Sequence, residues 1–195
     1  MTVYDYDWEF LEDGRTIEPI SIGIVASDGR EYYAVNALLA SRFKGWSLRR
    51  RIRKNQWLLE NVISHLPQPH GDWRLHMPKS WLFNYHDPAV KPMSRIASEV
   101  KAFILGTDPD ELPDVELWAN YGAYDHVCLA QMWGRMIDLP EGVPMFTSDI
   151  QQEARRQGLS WKDLPKQESG EHNALADARH NQVVRLWLAS RREAS

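Results

Sequence analysis

Three acids alternate with aromatics in YDYDWEF, residues 4–10: Asp5, Asp7 and Glu9 stand between Tyr4, Tyr6, Trp8 and Phe10. A period of two is that of a strand, which puts the acids on one face and the rings on the other. Like charges in a row repel, and burying one without a partner is costly. The acidic face therefore calls for water at an exposed edge, or for cations. Two further acids are placed to join it. Asp125 lies just past the strand-like VELWANY (115–121), where strand gives way to helix, and Asp177 lies in the last helical stretch. Strand ends in open α/β sheets are where sites collect. His172 precedes Asp177 by five positions. Five helical steps rotate about 500°, so the two side chains would diverge by roughly 140° on one helix. They can share a site only if His172 sits on the loop ahead of the helix, and Gly170 suits such a loop. Carboxylates without cysteine suit hard divalent cations such as Mg²⁺ or Mn²⁺. Two such ions about 4 Å apart can clamp the attacking and leaving oxygens of an in-line displacement, and a neutral histidine can take the proton of the attacking water. The chemistry these residues point to is metal-dependent phosphodiester hydrolysis.

The elements that must position them follow from pattern. Residues 2–10, 17–27 and 30–36 read as three strands, with Ile20, Ile22 and Ile24 inward on the second and Asp28-Gly29 as a hairpin turn: an antiparallel meander. SLRRRIRKNQWLLENVISHL (47–66) reads as a helix, and Pro67 to Pro92 as a long loop with an irregular insert around 72–90. SRIASEVKAFIL (94–105) has the spacing of an amphipathic helix. After a turn at 108–114 come the strand 115–121 and helices at 123–136, 147–158 and about 173–189. Strands first, then helix and strand in alternation, predict an α/β fold: a mixed sheet with helices on its faces, in one domain over 1–195.

Composition bounds the rest. The chain has 195 residues, 43% hydrophobic and 26% charged, with a net charge of −4. It is not a polycation built to coat nucleic acid, so any such contact needs a local basic patch. A single cysteine, Cys128, excludes an intrachain disulfide or a cysteine-based zinc cluster. No apolar run reaches membrane-span length and no leader pattern opens the chain, which predicts a cytoplasmic protein without a membrane anchor. Nine tryptophans suggest aromatic packing or stacking surfaces for a flat ligand.

The motifs DWE (Asp7, Glu9), NYGAYD (ending in Asp125) and HNALAD (His172, Asp177) resemble, in order, the three exonuclease motifs of the DEDDh group of 3′→5′ exonucleases. The longer blocks WEFLEDGRTIEPISIGIVASDGREYYAVN and ELWANYGAYDHVCLAQMWG resemble the ribonuclease T-like, polyadenylate-specific 3′-exoribonucleases of actinobacterial type. The resemblance covers 1–36 and 94–190 and is weak over 40–92. It implies a ribonuclease H-like fold and a homodimer. It also implies an enzyme that trims single-stranded RNA from the 3′ end to nucleoside 5′-monophosphates, with adenylate preferred. Asp7, Glu9, Asp125 and Asp177 would hold two Mg²⁺ ions, with Mn²⁺ able to substitute, and His172 would be the general base. Glu9 and the backbone at Trp8 would meet the terminal 3′-hydroxyl. Trp8 is larger than the usual middle residue of D-x-E, and Asp5 is an acid for which the resemblance supplies no role.

Substrate contacts are read more broadly. Trp8 and Phe10 belong to the core face of a regular strand, with base stacking as the second reading. Asn120 opens the second motif and is a candidate contact. RRRIRK, with Arg49, Arg50 and Arg51 between Trp46 and Trp57, is the densest basic cluster. It reads equally as a solvated helix face and as a surface for the RNA backbone. The other histidines read as structural or solvated. Two rivals stay open at this point: a DNA exonuclease of the same group, and an inactive nucleic-acid-binding module.

Overall fold

The computed structural model of the chain describes residues 1–41, 43–68, 83–108 and 112–193. His70, His76 and the 72–82 part of the expected insert lie outside them. Six strands form one mixed sheet in the order β4-β3-β2-β1-β5-β6. They are β1 (Thr2–Glu12), β2 (Ile17–Ala26), β3 (Glu31–Asn36), β4 (Val90–Lys91), β5 (Val115–Ala119) and β6 (Ser148–Asp149). The opening meander is as the alternation predicts: β1 pairs antiparallel with β2, and β2 with β3. The other neighbours pair in parallel, β1 with β5, β3 with β4 and β5 with β6. This is the α/β arrangement, consistent with a ribonuclease H-like fold, that the pattern and the resemblance implied.

Six α-helices cover the sheet among the described residues: α1 (Trp46–Ile52), α2 (Gln56–Asn61), α3 (Met93–Leu105), α4 (Ala123–Gln131), α5 (Ile150–Arg156) and α6 (Ala174–Glu193). One face of β1 and β2 packs Tyr4, Tyr6, Trp8, Ile22 and Ile24 with Ile96, Val100 and Ile104 of α3 and with Cys128 and Leu129 of α4. A second cluster joins Leu11, Ile20 and Val35 to Leu48, Ile52 and Leu58 of α1 and α2. The third packs α5 against α6 through Ile150, Ala154, Val184 and Leu188. No helix among the described residues is long and apolar enough to cross a membrane.

The structure departs from the pattern where single residues override it. The helix expected over 47–66 is broken, because the Asn55 side chain accepts a hydrogen bond from the Leu58 N–H and starts α2 anew. Ile20 does not share a cluster with Ile22 and Ile24. The β1–β2 register shifts between Glu9 and Phe10, with Glu9 opposite Ser21 and Phe10 opposite Pro19. Pro19 has no N–H for the ladder, and such positions favour bulges. The helix expected at 123–136 ends at Gln131, and the short strand β6 precedes α5 where a helix start was expected at 147.

Candidate active site

The strand β1 carries its acids on one face, and the first is already neutralised. Asp5 is fully buried, and the Arg185 guanidinium of α6 donates to both its carboxylate oxygens at 2.8 Å. Asp7 and Glu9 continue the row into a cavity of about 390 Å³, and Asp125, His172 and Asp177 line the same cavity. The five residues singled out in the sequence therefore converge.

Each is held by its element. Asp125 sits in the first turn of α4, where the helix dipole favours an acid, and accepts the Trp8 N–H at 2.7 Å. That bond ties the start of α4 to the middle of β1. Asp177 occupies the first turn of α6. One of its oxygens accepts from Gln167 Nε2 at 2.7 Å and the other from the backbone N–H of His172 at 2.9 Å. His172 lies on the loop before α6, as the rotation argument requires, with a left-handed φ of 64°. Its ring meets Trp57 of α2 edge to face, 4.8 Å between centroids. Glu9, His172 and Asp177 each offer a ligand atom within 4.8 Å of the others.

Crowding sets the electrostatics. Burial pushes the Glu9 carboxyl up to about 8, helped by Asp177 and Asp125. Burial pushes Asp125 up to about 7, against the opposing Trp8 N–H and with Asp149 nearby. Asp7 is raised well above the carboxylate range by burial and then by Asp125, Glu9 and Asp177. Asp177 is raised by burial, opposed by the donors from Gln167 and His172. None of the ion pairs among the described residues involves any of these four acids. A cluster of oxygen donors unpaired with any cation among the described residues fits hard divalent ions, whose charge would return the carboxylates to their ionised forms.

The expected substrate contacts fare unevenly. The Trp8 ring is 3% exposed and packs in the core, so only its backbone faces the cavity and it offers no stacking surface. Phe10 does reach the cavity and meets Tyr124 edge to face at 5.9 Å. Asn120 lines the cavity and accepts from Gln151 Nε2 at 2.8 Å. Arg51 is removed from the RNA-facing set: its guanidinium bridges Asp13 and Glu18, fastening α1 to the β1–β2 turn. Arg50 lies over the Trp46 ring at 5.3 Å and Arg49 over Tyr85 at 6.0 Å. Sequence reasoning missed Gln167, Trp57, Tyr121 and Asn181. Gln167 is five residues from His172 with no periodic signal to flag it. Asn181 was one turn beyond Asp177 on the same helix face, a spacing that could have found it; its amide donates to the Tyr6 carbonyl at 3.1 Å.

A sequence profile described as the 3′-5′ exoribonuclease Rv2179c-like domain matches residues 3–187. Two proteins of Mycobacterium tuberculosis are each 38% identical to the chain over 191 residues, 95% of this chain and 91% of theirs. They are 3′-5′ exoribonuclease Rv2179c of strain H37Rv and 3′-5′ exoribonuclease MT2234.1 of strain CDC 1551.

Proposed function

The chain belongs to the Rv2179c-like family of 3′-5′ exoribonucleases, and from that premise we propose that it removes nucleotides one at a time from single-stranded RNA 3′ ends by metal-assisted hydrolysis. The observation that carries the reading is the convergence of Asp7, Glu9, Asp125, His172 and Asp177 on one cavity, with none of the four acids in an ion pair among the described residues. Asp7, Glu9, Asp125 and Asp177 would hold two Mg²⁺ ions. Such ions supply charge to the scissile phosphate and a nucleophilic water at neutral pH. His172 faces the cavity from a loop held by Asp177 and Trp57 and takes the proton of the attacking water. The new bond joins the water oxygen to phosphorus. The bond from phosphorus to the upstream 3′ oxygen breaks, and that oxygen takes a proton from solvent, releasing a nucleoside 5′-monophosphate and a shortened RNA with a free 3′-hydroxyl.

The resemblance supports an adenylate preference and a homodimer as parts of the same reading. Trp8 does not stand against the preference, because its ring is turned into the core and leaves the nucleotide cavity unnarrowed.

A gel time course with matched oligomers tests the proposal. RNA with a 3′-hydroxyl is shortened stepwise in Mg²⁺, and chelation stops it. The same RNA ending in a 3′-phosphate persists, and a DNA control is cut far more slowly. Internal cleavage of the blocked RNA contradicts an exonuclease, and preference for the DNA contradicts the assignment to RNA.

A further inference from the structure

A second groove, of about 500 Å³, opens beside the acidic cavity and shares Asn120, Tyr121, Gln167, Glu171, His180 and Asn181 with it. Beyond the shared wall it is lined by Trp161, Leu164, Pro165 and Lys166. Tyr121 and Trp161 are 64% and 62% exposed, large rings that the core does not use. The backbone that carries each is fixed by local structure. Tyr121 has a left-handed φ of 55°, a conformation rare for a bulky residue, at the turn into α4. Trp161 begins a short 3-10 turn closed by Asp163, whose carboxylate accepts from the Ser160 N–H at 2.9 Å and the Ser160 hydroxyl at 2.6 Å. Leu164, next along, is buried and anchors this turn to α5 and α6. The Lys162 ammonium sits 5.8 Å from the Trp161 ring centre, and Lys166 lines the groove. Aromatic faces with lysines beside them, running away from a cavity dominated by acids, match single-stranded nucleic acid, which stacks bases on rings and sets phosphates against cations.

Resting on the exoribonuclease reading, we propose that this groove is the subsite for the RNA immediately upstream of the scissile phosphate. The penultimate base stacks on Trp161, and Lys166 faces the backbone that follows it. Lys166 and Glu171 both line the groove, so the lysine supplies a cation where the backbone nears the acidic cavity. The acidic cavity then holds the terminal nucleotide alone, and length of substrate is felt in the groove.

Steady-state hydrolysis of tetraadenylate, and of the same tetramer with an abasic ribose at the penultimate position, tests the subsite. Trp161→Ala raises KM for tetraadenylate roughly ten- to a hundredfold, the loss of one base stack. It leaves kcat near wild type and KM for the abasic tetramer unchanged, and Trp161→Phe restores most of the loss. Lys166→Ala lowers the slope of log KM on log salt by about 0.7, one phosphate contact on a single strand. Equal losses on both tetramers, or none on either, overturn the subsite while leaving the exonuclease intact. A wild-type protein that shortens neither tetramer nor any longer 3′-hydroxyl RNA overturns the exoribonuclease reading and the subsite with it. Both side chains are exposed, so the variants fold, and an unchanged melting temperature confirms it.

Discussion

Asp125→Asn lowers hydrolysis of 3′-hydroxyl RNA by about a thousandfold or more, a loss of roughly 4 kcal/mol of transition-state stabilisation. The amide keeps an oxygen to accept the Trp8 N–H, so the junction of α4 with β1 survives and the loss reports the missing charge. Stability moves the other way. In metal-free protein the folded-state carboxyls of Glu9 and Asp125 sit near 8 and 7, against 4.5 and 3.8 for the free side chains. Between about pH 4 and pH 8 the folded protein therefore binds more protons than the unfolded chain, and its stability falls as pH rises across that window. In Asp125→Asn one of the groups responsible no longer titrates. The variant is more stable than wild type at pH 8 in chelator, and its stability declines less steeply with pH. Mn²⁺ raises the wild-type melting temperature at pH 8 and raises that of the variant less. Turnover retained within tenfold, or a wild-type stability that climbs from pH 5 to pH 8 in chelator, contradicts the reading.

Gly23→Ala costs both stability and activity although no catalytic atom is changed. Gly23 pairs with Asp7 across the β1–β2 ladder. A Cβ added there would stand 2.3 Å from the carbonyl carbon and oxygen of Ala174 and from the Leu175 nitrogen. Those are backbone atoms at the start of α6, so no side-chain rotation relieves the contact. The helix must shift, and it carries Asp177 in its first turn and His172 on the loop before it. Overpacking of this kind costs about 1–3 kcal/mol, read as a lower urea midpoint. A displacement near 1 Å at a catalytic group costs about a hundredfold in rate. Activity should therefore fall further than the folded fraction does. A variant as active as wild type would show that the seat of α6 does not set the site.

Much of this arrangement was legible in the sequence because it is local. The period of YDYDWEF, the Asp28-Gly29 turn and the amphipathic spacing of 94–105 each act within a few residues, and each element formed near its expected limits. Asp125 and His172 were placeable because a strand-to-helix junction and a helical rotation fix them without knowledge of distant packing. The pairing of Asp5 with Arg185 was not legible, since 180 positions separate them and only docking of α6 brings them together. Trp57 escaped for the same reason, since it meets His172 from a helix whose placement depends on the whole fold, whereas Gln167, ten positions from Asp177, sits on a loop that has no periodic signal. The break at Asn55 and the bulge opposite Pro19 carried sequence signals, a capping residue and a missing donor, that were outweighed by the longer periodic runs around them.

The central claim is that the four carboxylates form a two-ion site, and diffraction from crystals grown with Mn²⁺ tests it most directly. Anomalous scattering should show two peaks about 4 Å apart, enclosed by Asp7, Glu9, Asp125 and Asp177 with His172 at the rim. Peaks elsewhere on the protein, or none at millimolar Mn²⁺ and pH 8, would contradict it.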